Sequence, residues 1–456
     1  MVFSYLVNSR SGQLNKYIIF LILILPLNLH AAGEYEKIHD LKVNTQVPAK
    51  IIKTEYYHID PVVKSNGFLN IYTVKSDFGE YKAIGNLSLL VVIRELYALQ
   101  ELKNLSKTQV FIEAAAGSAA GSIESMFHVA TNPVETVKGI PGGVSRLFNR
   151  TKDTAGAVYE GGKDVAGEAV DTVTGKEDEN SGDKDDKDLG DTAVDTTGKA
   201  ADWYFGVSAG QRKWAKKLGV DPYTKNELLQ NALREVAKID RAGSFAVRFA
   251  PIPRIPGSKY VGLANDAIWN LSYKELLEQN VEKLTELGIN EAAINSFLAN
   301  QSFSPSMQTY LIEAVLQLEN VKNRSVLIEL ASTKETEDFA RFYLETVILM
   351  TWFDGQKDKL SEIKSFGEIP YSIDSKNSLI LLLPVDYLFW TKELGEKAQQ
   401  MTSDVKKDNT TEKDAIFLGD LSPLSETGMK NLGWIVEDEL NERTKQFRDS
   451  YLGVIE

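Results

Sequence analysis

Cysteine is absent from all 456 residues, which rules out disulfides, thiolate metal ligands and a lipid-modified cysteine. Histidine is nearly as scarce. His30, His39, His58 and His128 are scattered, and with no thiolate to join them they argue against zinc. Basic residues are in deficit too: 51 Lys and Arg face 64 Asp and Glu, for a formal charge of −13. A surface that holds phosphate backbones is basic, so nucleic acid is not an expected partner. No Walker A sequence is present, and the glycine-rich Gly139–Ser145 lacks the lysine and preceding strand of a phosphate loop. Asp77-Phe78-Gly79 has no companion kinase motif, and Ser361 with Lys364 has neither S-D-N nor K-T-G beside it. No cofactor is expected.

What is there begins at the N-terminus. Arg10 and Lys16 precede the apolar run Tyr17–Leu29, broken at Pro26, and Ala31 follows. A basic flank, a short apolar core and a small residue make a secretory signal peptide over 1–31, cleaved near Ala31. The run is short for a span of the roughly 30 Å hydrocarbon core. Residues 1–31 hold two basic and no acidic side chains, so cleavage leaves a charge of −15. Export without cysteine points to a periplasmic or secreted bacterial protein held together by its core. Apolar residues make up 43% of the chain and charged ones 25%, a globular composition that supports such a core.

Three textures divide the mature chain, and together they predict a mainly α protein. Over 34–112 the reading is a small α+β domain. A strand lies within Ile51–Ile59, a hairpin turns at Ser76–Gly79, and Leu89, Val92, Ile93, Leu96 and Leu99 stripe one helix. From 113 to 200 the chain is rich in Gly, Ala and Thr, a marginal helix former at best. Within it, 175–192 reads as an acidic disordered linker between the near-copies AVDTVTGK and AVDTTGK. From 201 to 456 helices dominate. Pro305 opens one after a Ser304 cap, and Ser332 with Glu335 has the spacing of a capping box before the apolar Phe339–Phe353. Leu218–Asn231 and Leu287–Asn300 echo one another. Shared cap grammar, a Gly ending one helix before Asp or Asn begins the next, explains them; a solenoid repeat is the alternative. In Ser378–Trp390 the expectation is a buried strand and then, after Pro384, a short helix capped by Asp386.

Chemistry-bearing residues are few. Gly206-Val207-Ser208-Ala209-Gly210 has the spacing of a nucleophile elbow, but no histidine follows it to act as base. Ser208 therefore reads first as a helix cap and only second as the nucleophile of a serine hydrolase. Asp386 is the only acidic or basic residue in its apolar stretch, so desolvation makes it a second catalytic candidate. Glu177, Glu179, Ser181 and Asp188 fall at ligand positions of an EF-hand-like loop around Gly182, with the wrong acid at each end, so they are weak calcium candidates and no metal is expected. Residues 129–150 mix apolar and basic side chains and would permit contact with a membrane surface. The reading that results is an exported, non-enzymatic scaffold or binding protein of the bacterial envelope. It acts on a protein partner through helical surfaces.

Overall fold

The structure, a computed structural model, describes residues 35–116, 127, 204, 206–240 and 262–436. Strands β1 (Leu41–Lys42), β2 (Tyr57–Ile59), β3 (Val62–Ser65), β4 (Asn70–Ser76) and β5 (Gly79–Ile84) form an antiparallel sheet centred on β4. Along β4 the buried positions are Asn70, Tyr72 and Val74, the two-residue period of a strand with one face on a core. That core is supplied by helix α1 (Asn86–Ser106), whose Leu89, Ile93, Leu96 and Leu99 are all buried as their spacing predicts. Gln109–Ala116 forms α2. The turn at Ser76–Gly79 joins β4 to β5 as expected. Between 51 and 59 only Tyr57–Ile59 is strand, because Ala49–Ile52 coils into a single helical turn.

Two helices from later in the chain complete this core. These are α3 (Ala209–Leu218) and α4 (Glu227–Ile239), which bury Trp214, Leu218, Leu229, Leu233 and Val236 against the apolar face of α1. Helices α5 (Gly262–Asn270), α6 (Tyr273–Glu286), α7 (Glu291–Leu298), α8 (Pro305–Gln317) and α9 (Val326–Ala331) then lead into α10 (Glu337–Gln356). Ser304 caps α8 through the Met307 N–H and Pro305 takes its first position. Buried residues lie on every side of α10, as an all-round apolar helix requires. The capping box expected from Ser332 and Glu335 does not form: Ser332 ends α9, and α10 starts after Thr336. The echoed segments share cap grammar only as far as the glycine. Gly219 and Gly288 both stop a helix in the left-handed conformation, but Asn290 begins the next helix at once, whereas Asp221 does not and Asn226 takes that role.

After α10 the chain departs from the expected helical domain. Strands β6 (Leu360–Phe366), β7 (Ile369–Asp374), β8 (Leu379–Leu383), β10 (Lys413–Phe417) and β12 (Ile435–Val436) form a second sheet in the order β12-β10-β8-β7-β6. Short β9 (Tyr387–Leu388) pairs with β11 (Asp420–Leu421). The β8–β10 and β10–β12 pairs are parallel, and the crossovers that parallel pairing demands are α11 (Lys392–Asp404) and α12 (Pro423–Asn431). The chain is thus mixed α/β rather than mainly α, with sheets of five, five and two strands among the described residues. Strand β8 explains the layering. Ile380 and Leu382 pack on the helical side with α10, while Leu379 and Leu381 face α11, α12, Met401 and Trp434. Buried on both faces, β8 is apolar at every position.

The expected helix after Pro384 is also absent. The chain instead bends at Asp386 into β9, and Asp386 caps a different helix. Its Oδ1 accepts from the N–H of Asn86 in the first turn of α1, at 3.1 Å, and its Oδ2 accepts from the N–H of Asn70 at 2.8 Å. Around this carboxylate the halves of the chain are sewn together. Asp386 N–H donates to the Phe68 carbonyl and Phe389 N–H to that of Gly67, both at 2.9 Å. The Phe68 ring meets that of Phe342 edge-on at 5.3 Å, inside the core of the second sheet. Residue Glu36 accepts from both the N–H of Trp390 and the hydroxyl of Ser422.

Candidate functional site

Ser208 stands at the N-cap of α3, its hydroxyl accepting from the Gln211 N–H at 3.2 Å while the Gln211 side chain accepts from the Ser208 N–H at 3.0 Å. Both ends of this reciprocal box are satisfied by a helix start. The second glycine of the motif, Gly210, sits where an added Cβ would be 3.0 Å from that of Ala237, so it lets α3 pack closely on α4. Replacing Ser208 by Ala is expected to lower stability by about 1 kcal/mol, and Ser208→Asp to restore most of it. Urea unfolding measures both. A neutral Ser208→Ala would remove the cap from the account.

The calcium candidates Glu177, Glu179, Ser181 and Asp188, the membrane candidate 129–150 and the apolar run 17–29 all lie outside the described residues. Among the described residues, no group of three or more His, Asp or Glu is placed to hold a metal ion, and no helix is long and apolar enough to cross a membrane.

The polar residues the structure does bring together are ones that sequence reasoning passed over. Glu95 sits on α1 in the series Val91, Glu95, Ala98, Leu102, a second apolar stripe beside the one that marks the helix. A carboxylate in that register was the available signal. Closure of α4 over this stripe leaves Glu95 only 7% exposed. The segment ahead of α4 supplies its partners: the Thr224 hydroxyl donates to Oε1, and the Asn226 amide donates to Oε2 at 3.1 Å. Asn226 is held in turn because its Oδ1 caps α4 through the Leu229 N–H. Burial pushes the Glu95 carboxyl up to about 7, against the two hydrogen bonds, which favour the charged form.

A third wall comes from the first turns of α10. Glu337 accepts from Arg341 at 2.6 Å and lies 3.1 Å from Lys225, whose ammonium also donates to the Gln301 carbonyl. Burial alone would raise the Glu337 carboxyl, but Arg341 and Lys225 outweigh it and hold the group at about 2. These walls enclose a cleft of about 160 Å³, with Ile84, Val91 and Val92 as its apolar side and Lys82 and Asp338 at its polar edge. Behind it lies Asp221, raised by burial, with the Ser306 hydroxyl at 2.5 Å and the Tyr223 N–H at 2.8 Å donating to its Oδ1. Arg94, lowered to about 10 by burial, donates to the Gly219 carbonyl at 3.1 Å.

No family model, curated protein or solved structure matches the chain.

Asp386, the other sequence candidate, lies elsewhere. Burial lifts its carboxyl to about 7 as well, opposed by the two backbone N–H groups it accepts from. It is buried within the seam between the two halves and is not among the residues that line the cleft. Its environment is that of a structural tie, in which each oxygen already has a donor. The cleft differs in combining open volume, both signs of charge and a desolvated carboxyl, the combination that marks a ligand site.

Proposed function

We propose that the chain is an exported, non-enzymatic binding protein of the bacterial envelope, and that it holds a small polar ligand in the cleft between β5, α1, the segment ahead of α4 and α10. One observation carries this reading. Glu95 is buried yet borders open volume, and side chains from three distant stretches of chain converge on that volume. Convergence of this kind costs desolvation, and a cleft that a few non-hydrogen atoms would fill suits a small molecule better than a macromolecular surface. Export is supported by the basic flank and apolar run before Ala31. A protein partner in the envelope remains part of the proposal, receiving the loaded chain.

The test uses the mature chain, equilibrated with the small-molecule fraction of an envelope extract, washed, and unfolded to release what it kept. Mass spectrometry is expected to find a compound retained by the parent and lost from Val91→Phe, which fills the cleft from its apolar side. Nothing retained, or equal retention by Val91→Phe, would overturn the proposal.

A further inference from the structure

We infer that the cleft binds a primary ammonium group on a short aliphatic stem, with the Glu95 carboxylate as its counter-charge. This rests on the binding reading above and names its ligand class. Glu95 stands apart in that its charge is unmatched. Glu337 is already flanked by Arg341 and Lys225, at 2.6 and 3.1 Å. Glu95, more deeply buried, accepts from a hydroxyl and an amide and, among the described residues, forms no ion pair; Arg341 acts on it only from beyond contact and Glu337 opposes that effect. A buried carboxylate whose direct donors are neutral is under-compensated, and a cation supplied from outside relieves it.

An anionic ligand meets the opposite situation. Of the cations that line the cleft, Arg341 and Lys225 already hold Glu337 and Lys82 is exposed at the edge, so an incoming carboxylate or phosphate competes with Glu337 for donors or stays at the rim. An ammonium meets no such competitor. It needs acceptors, and Glu95 retains unused lone pairs on both oxygens. The stem follows from the remaining wall: Ile84, Val91 and Val92 present apolar surface beside the carboxylate. The size follows from the volume, about 160 Å³, close to that of engineered cavities that admit benzene.

Proton balance gives the inference a signature. Glu95 holds its proton at mildly acidic pH, so an ammonium entering there expels that proton to solvent. The charged and titratable neighbours on the packed elements are Tyr81 and Lys82 of β5, Lys225 ahead of α4, and Glu337, Asp338 and Arg341 of α10. Tyr81 is raised to about 12 and Glu337 held at about 2, while Arg341 is raised, so all three keep one charge state between pH 6 and 8. An alkylammonium likewise stays charged throughout that range. Glu95 is therefore the group whose titration governs binding.

The experiment is calorimetric titration of the mature chain with n-butylammonium, n-butyrate and 1-butanol at pH 6 and pH 8. Butylammonium is expected to bind one per chain, about tenfold more weakly at pH 6 than at pH 8, with proton release at pH 6. Glu95→Gln is expected to lose at least tenfold in affinity at pH 8. Because that variant removes a buried group, Val91→Phe serves as the second: it keeps Glu95, fills the cleft, and is expected to abolish binding. Affinity unchanged between pH 6 and 8, or undiminished in Glu95→Gln, overturns the role of Glu95. Butyrate binding in place of butylammonium overturns the ammonium class and leaves the cleft a ligand site. If none of the three binds while the extract still yields a compound dependent on the cleft, the ammonium class fails alone. If the extract yields nothing either, the binding function fails with it.

Discussion

Asp386→Ala is expected to lower stability by about 3 kcal/mol and to loosen the first turn of α1. The substitution leaves the N–H groups of Asn70 and Asn86 buried without their acceptor, and an orphaned buried donor costs roughly 1–3 kcal/mol. Asp386→Asn keeps one acceptor oxygen but turns an amide N–H₂ toward the other donor, so its cost falls between alanine and the parent. Urea unfolding measures the loss, and hydrogen exchange at the Asn70 and Asn86 amides locates it. A loss below about 1 kcal/mol for Asp386→Ala, with both amides still protected, would show that the carboxylate does not tie the two halves.

The second large effect is on pH dependence. Asp386 and Glu95 both sit at about 7 in the folded chain, whereas unfolded carboxyls titrate near 4. Between those values the native state carries protons that the unfolded state has released, so stability falls as pH rises, by about 1.4 kcal/mol per pH unit for each group. What the two groups contribute is complete below about pH 4 and gone above about pH 7. Glu337, held at about 2, acts with the opposite sign: its contribution is present above the unfolded value and is lost as pH falls toward 2. Thermal unfolding should therefore show a melting temperature several degrees higher at pH 5 than at pH 8. Glu95→Gln/Asp386→Asn should flatten the profile between them. A parent chain equally stable at both values would contradict the burial assigned to these carboxyls.

How much of this was legible beforehand depends on how local each cause is. The stripe of α1, the turn at Ser76–Gly79 and the start of α8 at Ser304-Pro305 were readable, since period, turn chemistry and caps act over a few residues. Strands β6 and β7 were not. LSEIKSF and IPYSID carry Ser, Lys, Glu and Pro, and β6 is an edge strand, so neither shows the apolar run of β8. Asp386 stands out as a lone acid and its stretch suggests a local helix, but the helix it caps lies 300 positions earlier. Glu95 is not legible because its burial is imposed by α4. From sequence alone the exposed face of α1 and the face that α4 covers cannot be told apart, except by the stripe on which Glu95 intrudes.

The 300-residue separation between Asn86 and Asp386 also has a kinetic meaning. A chain made from its N-terminus delivers β1 to α1 early and the carboxylate that caps α1 late. The closing helices α3 and α4 arrive in between, so the first core must wait for about half of the chain to emerge. Contacts this distant in sequence slow folding, because loop closure comes before any reward. Until residue 386 arrives, the loop at Phe68 and the start of α1 lack the hydrogen bonds that tie them to the second half of the chain. A chain slow to close in this way is easier to thread through a narrow passage than one that folds as it is made.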